Sequence, residues 1–117
     1  MARRGYTFIE LLVVVGLLAV ILAVLGPRMM RARKVAQANA CIGNLKQMQG
    51  AKESWALERR ASITTQVVWS DITPLLKNGV APVCPAGGVY TLGVAGTNIT
   101  CSIPGHLLPA GSPRKFP

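Results

Sequence analysis

From Tyr6 to Leu25 the chain is an almost unbroken apolar run that carries one charge, Glu10. About 20 apolar residues in a helix match the hydrocarbon thickness of a bilayer, so this run predicts a membrane-spanning helix. Polar positions return after Gly26–Pro27, and from Arg28 to about Glu58 good helix formers dominate. Ala38, Cys41, Ile42, Leu45, Met48, Ala51 and Trp55 recur there at spacings of three and four, which marks one apolar stripe on a polar helix. Lys46, Lys52, Glu53 and Arg59 fall largely off that stripe and are expected to face water. Proline removes a backbone donor and crowds the preceding turn, so Pro27 predicts a kink rather than a stop. The first element is therefore one long helix, apolar all round in its first half and amphipathic in its second.

The second half of the chain supplies what should cover the stripe. Ser62, Thr64 and Thr65 predict a loop over residues 61–68. Ser70 is placed to cap a short helix across Asp71–Lys77, with Pro74 in its first turn and Gly79 closing it. Val89–Val94 alternates as a strand, Gly96–Asn98 holds turn residues, and Ile99–Ser102 predicts a return strand. The tail from Leu107 contains Pro109, Pro113 and Pro117 with little apolar content, and is expected to be disordered. The predicted class is α+β: a long N-terminal helix packed by a small C-terminal domain with a short helix and a β-hairpin. The divisions are 1–5, 6–26 (membrane-spanning), 27–60 (amphipathic helix), 61–106 (globular) and 107–117 (tail).

Size and charge narrow the reading. With about half of its 117 residues in the span and the long helix, the chain can build at most one small core. The formal net charge of +9 favours anionic partners: lipid headgroups, nucleic acid or acidic proteins. Base-stacking aromatics are few, which leaves nucleic acid possible but unsupported. Arg28, Arg31, Arg33 and Lys34 directly follow the span and suit lipid phosphates, whereas Arg59–Arg60 and Arg114–Lys115 remain for DNA. By count alone the basic cluster after the span outweighs Arg3 and Arg4, and the positive-inside rule would put that flank in the cytoplasm.

Gly5, Tyr6, Thr7, Phe8, Ile9 and Glu10, with the apolar run to Leu25, resemble the N-terminus of type IV prepilins and of the pseudopilins of type II secretion. Pro27 also falls where many members carry a kinking proline. A secretory signal peptide would have a shorter apolar core with its cleavage site behind it. A plain anchor fits the length but gives Glu10 no task.

The resemblance implies that Met1–Gly5 is a leader, and that a prepilin peptidase cuts between Gly5 and Tyr6 and methylates the new amine. It implies a cytoplasmic leader, a single inner-membrane pass and a periplasmic C-terminal domain. An inner-membrane assembly platform would then build the subunits into a filament, in the periplasm or at the cell surface, with a type II secretion pseudopilus the leading expectation. Gly16, Ala19 and Ala23 would permit close helix packing in such a filament. The carboxylate at Glu10 would pair with the terminal amine of a neighbouring subunit. The residue's other reading is a side chain reaching toward headgroups. A type IV-like pilin of a DNA-uptake or adhesion filament, and a monomeric anchored accessory protein, are the alternatives.

Cys84, Pro85, Gly87, Gly88 and Tyr90, followed by Cys101, Ser102, Gly105 and His106, also resemble a CP-x-GG-x-Y and C-S-x-x-GH pair of segments in small pseudopilin-like proteins. Cys84 and Cys101 flank the predicted hairpin, and an extracytoplasmic domain with a small core is where disulfides are expected. The expectation is a Cys84–Cys101 disulfide, with Cys41 a buried hydrophobe on the helix stripe. A Cys3His metal site from Cys41, Cys84, Cys101 and His106 is the sharper alternative. It lacks the paired, short-spaced ligands usual for zinc, so no metal is expected. His106 is expected to face solvent in a Pro-Gly-His turn. After Glu58 the only carboxylate side chain is Asp71, too few for a calcium loop. One histidine, no nucleophile elbow and no phosphate-binding glycine loop give no support for an enzyme, and no cofactor is expected.

Overall fold

The first element, α1, runs as a single helix from Phe8 to Arg59, 52 residues, and continues through Pro27. The computed structural model describes residues 5–109; the leader stub before Gly5 and the tail from residue 110, expected to be disordered, lie outside the described residues. The chain divides into two compact units, one up to Lys34 and the other from Val35 onward. In the first, every described residue is exposed, including Phe8, Ile9, Leu17, Leu18 and Ile21. By length and composition α1 can cross a membrane.

The second unit holds the core. Its part of α1 buries Cys41, Leu45, Met48, Ala51, Trp55 and Ala56 against Val67, Ile72, Leu76, Cys84, Tyr90, Leu92, Ala95, Ile99 and Cys101. The apolar stripe is thus the core face, as its spacing predicts. Two polar residues share that face. Gln49 is buried, and Lys52, expected in water, is fully buried. Lys52 lies four residues after Met48 and three before Trp55, at the centre of the face that those residues define.

The end of α1 explains itself from its backbone. Ala61 N–H donates to Ala56 C=O at 2.9 Å and Arg60 N–H to Leu57 C=O at 3.2 Å. That is the paired bonding of a Schellman cap, whose penultimate position takes a left-handed conformation. Here that position is Arg60, with φ of 49°. A side chain is disfavoured in this region, so Arg60→Gly is expected to stabilise the unit by about 0.5–1 kcal/mol. A higher thermal midpoint by circular dichroism would show it; an unchanged or lower midpoint would contradict the cap reading.

Beyond the loop, α2 spans Trp69–Ile72 and is followed by 3-10 turns at Thr73–Leu75 and Lys77–Gly79. The short helix therefore starts two residues before the expected Asp71, and Ser70 does not cap it. Asp71 does the work instead, its Oδ2 accepting the Val68 N–H at 3.2 Å. Pro74 sits in the first turn of a 3-10 segment, where its missing donor is harmless. The hairpin is also shorter than expected: β1 is Tyr90–Thr91 and β2 is Thr100–Cys101, antiparallel with Tyr90 opposite Cys101. The intervening chain pairs elsewhere. Ala95 and Gly96 donate to the carbonyls of Thr65 and Ile63, both at 2.8 Å, and Gln66 bridges Val94. A Cβ at Gly96 would lie 2.8 Å from the Ile63 oxygen, so this approach needs glycine.

A sheet this small leaves many backbone groups needing partners. Side chains of α1 provide them. Gln37 donates to Pro85 C=O at 3.4 Å and Asn44 to Val83 C=O at 3.2 Å. Gln49 Oε1 accepts the Ile99 N–H at 3.1 Å, and Lys52 Nζ donates to the Leu92 and Thr97 carbonyls. The polar residues on the buried face are thus the anchors of the irregular segment.

Candidate functional sites

Two sites emerge, one in each unit. In the first, Gly5 and Tyr6 precede α1, and Tyr6 is exposed. Thr7 C=O accepts the N–H groups of Glu10 and Leu11 at 3.0 and 3.2 Å and so opens the helix. Glu10 lies in that first turn, where the helix dipole favours a carboxylate. The exposed apolar surface that follows cannot remain in water; it needs lipid or other apolar helices.

The second site is built around sulfur. Cys41 comes from α1, Cys84 from the loop before β1, Cys101 from β2 and His106 from the turn after it. One donor atom from each of the four lies within 4.8 Å of the others, and all four residues are buried. His106 is thus an interior residue, not the solvent-facing one expected. The turn that carries it inward has Gly105 at φ of 84° and a His106 N–H to Ile103 C=O bond at 3.2 Å. Cys84 Sγ lies 3.7 Å from His106 Nδ1 and 3.8 Å from Cys101 Sγ. The two sulfurs expected to form a disulfide are therefore neighbours, and all three thiols are free.

The surrounding residues explain both flanking motifs. The Cys84 carbonyl accepts the Gly87 N–H at 3.0 Å, closing a turn that gives Gly87 a φ of 80°. Gly88 packs directly on the sulfurs: a Cβ there would lie 2.6 Å from Cys101 Sγ and 3.3 Å from Cys84 Sγ. Ser102 ties the strands at their ends, its N–H donating to Val89 C=O and its Oγ accepting Val89 N–H. Tyr90 donates its hydroxyl to Cys41 Sγ at 3.4 Å, and Asn44 Nδ2 donates to that hydroxyl at 3.2 Å. Tyr90 was visible in the motif without a role, and Asn44 gave no signal beyond its place near the helix stripe.

Electrostatics differ among the sulfurs. Burial pushes the Cys41 thiol up to about 11, with the Tyr90 hydroxyl opposing and the neighbouring thiols of Cys84 and Cys101 adding to the rise. Burial also acts upward on Cys84. The backbone N–H groups of Ala86 and Gly88, with His106 and Cys41, outweigh it and bring that thiol down to about 6. Burial, and then the bond to Cys41, raise the Tyr90 phenol above its ordinary range.

Comparison with known proteins agrees with the first site. Residues 1–26 match the family described as the prokaryotic N-terminal methylation motif. The chain is thus similar to type IV pilins in its N-terminal segment. A relative that it matches is the type IV wide pilus major component PilA4 of Thermus thermophilus. The two are 28% identical over 103 residues, covering 88% of this chain and 73% of the relative. No solved structure matches.

Proposed function

We propose that the chain is a structural subunit of a type IV pilus, anchored in the inner membrane before assembly and bundled through the first half of α1 afterwards. The observation that carries this is the exposed apolar half-helix, headed by one carboxylate and preceded by the Gly5–Tyr6 junction. The N-terminal motif is shared by pilins and secretion pseudopilins; the similarity to a protein named as a wide-pilus major component favours a pilus. In this reading the leader is cytoplasmic, the unit from Val35 onward is outside, and prepilin peptidase is the first partner. The role is that of a building block, not a catalyst.

Processing is the first test. Intact mass of the membrane-purified chain should begin at N-methylated Tyr6, and Gly5→Glu should block cleavage while membrane insertion persists. An unprocessed Met1 in cells with working prepilin peptidase would sink the proposal. To separate pilus from pseudopilus, the gene is deleted and surface filaments and secreted proteins are compared. Lost filaments with intact secretion are expected; the reverse would turn the assignment to a secretion pseudopilus.

A further inference from the structure

We propose that Cys41, Cys84, Cys101 and His106 bind one zinc ion as a closed, structural Cys3His centre. Two of the six ligand-to-ligand distances match that ion, and all four donor atoms lie within 4.8 Å of one another. Zinc–sulfur bonds of about 2.3 Å and zinc–nitrogen bonds of about 2.0–2.1 Å in a tetrahedron put neighbouring ligand atoms roughly 3.5–3.8 Å apart. Cys84 Sγ and Cys101 Sγ stand at 3.8 Å, and Cys84 Sγ and His106 Nδ1 at 3.7 Å.

A disulfide accounts for less of what is seen. Bridging Cys84 to Cys101 would use two of the four groups and leave the convergence of Cys41 and His106 without a cause. A metal centre uses all four. The donor set also selects the metal. Three thiolates and an imidazole suit zinc, whereas calcium and magnesium require oxygen ligands, and the cluster contains no carboxylate.

Hydrogen-bond donors face two of the three sulfurs. Ala86 and Gly88 direct backbone N–H groups at Cys84 Sγ, and Tyr90 directs its hydroxyl at Cys41 Sγ. Hydrogen bonds of this kind orient ligand sulfurs and spread their charge. In the bound centre all three cysteines are thiolates, any proton they carried having passed to solvent, and His106 binds as neutral imidazole, which leaves the centre with a single negative charge. The bare glycine at 88 keeps side-chain atoms out of the space beside Cys101 Sγ. Only Cys101 and His106 are close in sequence; Cys41 and Cys84 come from distant segments and meet them where the β1–β2 pair packs on α1. That explains why the short-spaced zinc signature is missing. The centre does not depend on filament assembly, so it stands or falls separately from the proposed function.

The test uses the full chain, purified from membranes in detergent without chelator. Metal analysis should find about one zinc per chain. All three cysteines should become alkylatable only after denaturation with chelator, without reductant. Cys41→Ser should lower zinc content at least tenfold. Because that variant could also lose its fold, Tyr90→Phe, which keeps every ligand, is measured beside it. It should still bind zinc but about 10–100-fold more weakly against a chromophoric chelator. Cobalt substituted into the parent chain should give the intense visible bands of tetrahedral thiolate coordination. A zinc-free chain, whether bridged between Cys84 and Cys101 or carrying three thiols, would overturn the proposal. So would stoichiometric iron, zinc retained in full by both Cys41→Ser and His106→Ala, or a weak octahedral cobalt spectrum.

Discussion

Glu10→Leu is expected to yield a processed, membrane-resident chain that assembles at most about a hundredth as well as the parent. Removing a charge from an apolar span favours insertion, so a simple anchor would tolerate the change or benefit from it. In a filament bundle, the carboxylate is proposed to meet the terminal amine of the next subunit. Breaking one side of a buried ion pair typically costs about 3–5 kcal/mol, because the other charge stays buried and unpaired. Each 1.4 kcal/mol is tenfold, so the expected loss is of the order of a hundredfold or more. Filament yield, normalised to membrane-resident subunit, is the quantity to measure. Parental yield would end the pairing role and leave Glu10 as a favourable first-turn carboxylate on α1.

Lys52→Met is expected to destabilise the second unit by about 2–4 kcal/mol. Methionine fills much of the same volume, but it cannot donate to the Leu92 and Thr97 carbonyls that Lys52 Nζ now reaches. A buried acceptor left without a partner costs about 1–3 kcal/mol. At roughly 4–8 °C per kcal/mol for a small domain, the thermal midpoint should fall by roughly 10 °C or more. Lys46→Met, on an exposed position of the same helix, is the control and should change stability by no more than about 0.5 kcal/mol. Equal midpoints for the two variants would mean that Lys52 does not anchor the segment.

The long helix was legible because a span-length apolar run and a stripe at three-four spacing are strong local signals. For Lys52 residue type and position disagree: a lysine suggests solvent, but its place between Met48 and Trp55 puts it on the core face. The hairpin was legible as an element but not in extent. Alternation suggested long strands, whereas the chain between them spends its hydrogen bonds on Thr65, Ile63 and the side chains of α1. Each member of the sulfur cluster was a visible candidate, yet their meeting was not, since it depends on which face of α1 the hairpin covers. His106 suggests solvent because a Pro-Gly-His turn resembles a surface loop, whereas Gly105 directs it inward.

The hydrogen bonds that anchor the irregular segment to α1 have a consequence for the order of biosynthesis. They join residues 39 to 50 positions apart, so this part of the helix face leaves the ribosome well before the segment it anchors. At synthesis rates of roughly 5–20 residues per second, that face waits for seconds. Asn44, Gln49 and Lys52 make the waiting surface less sticky than an all-apolar stripe would be. The same side chains that later fasten the fold therefore protect the nascent helix from premature association.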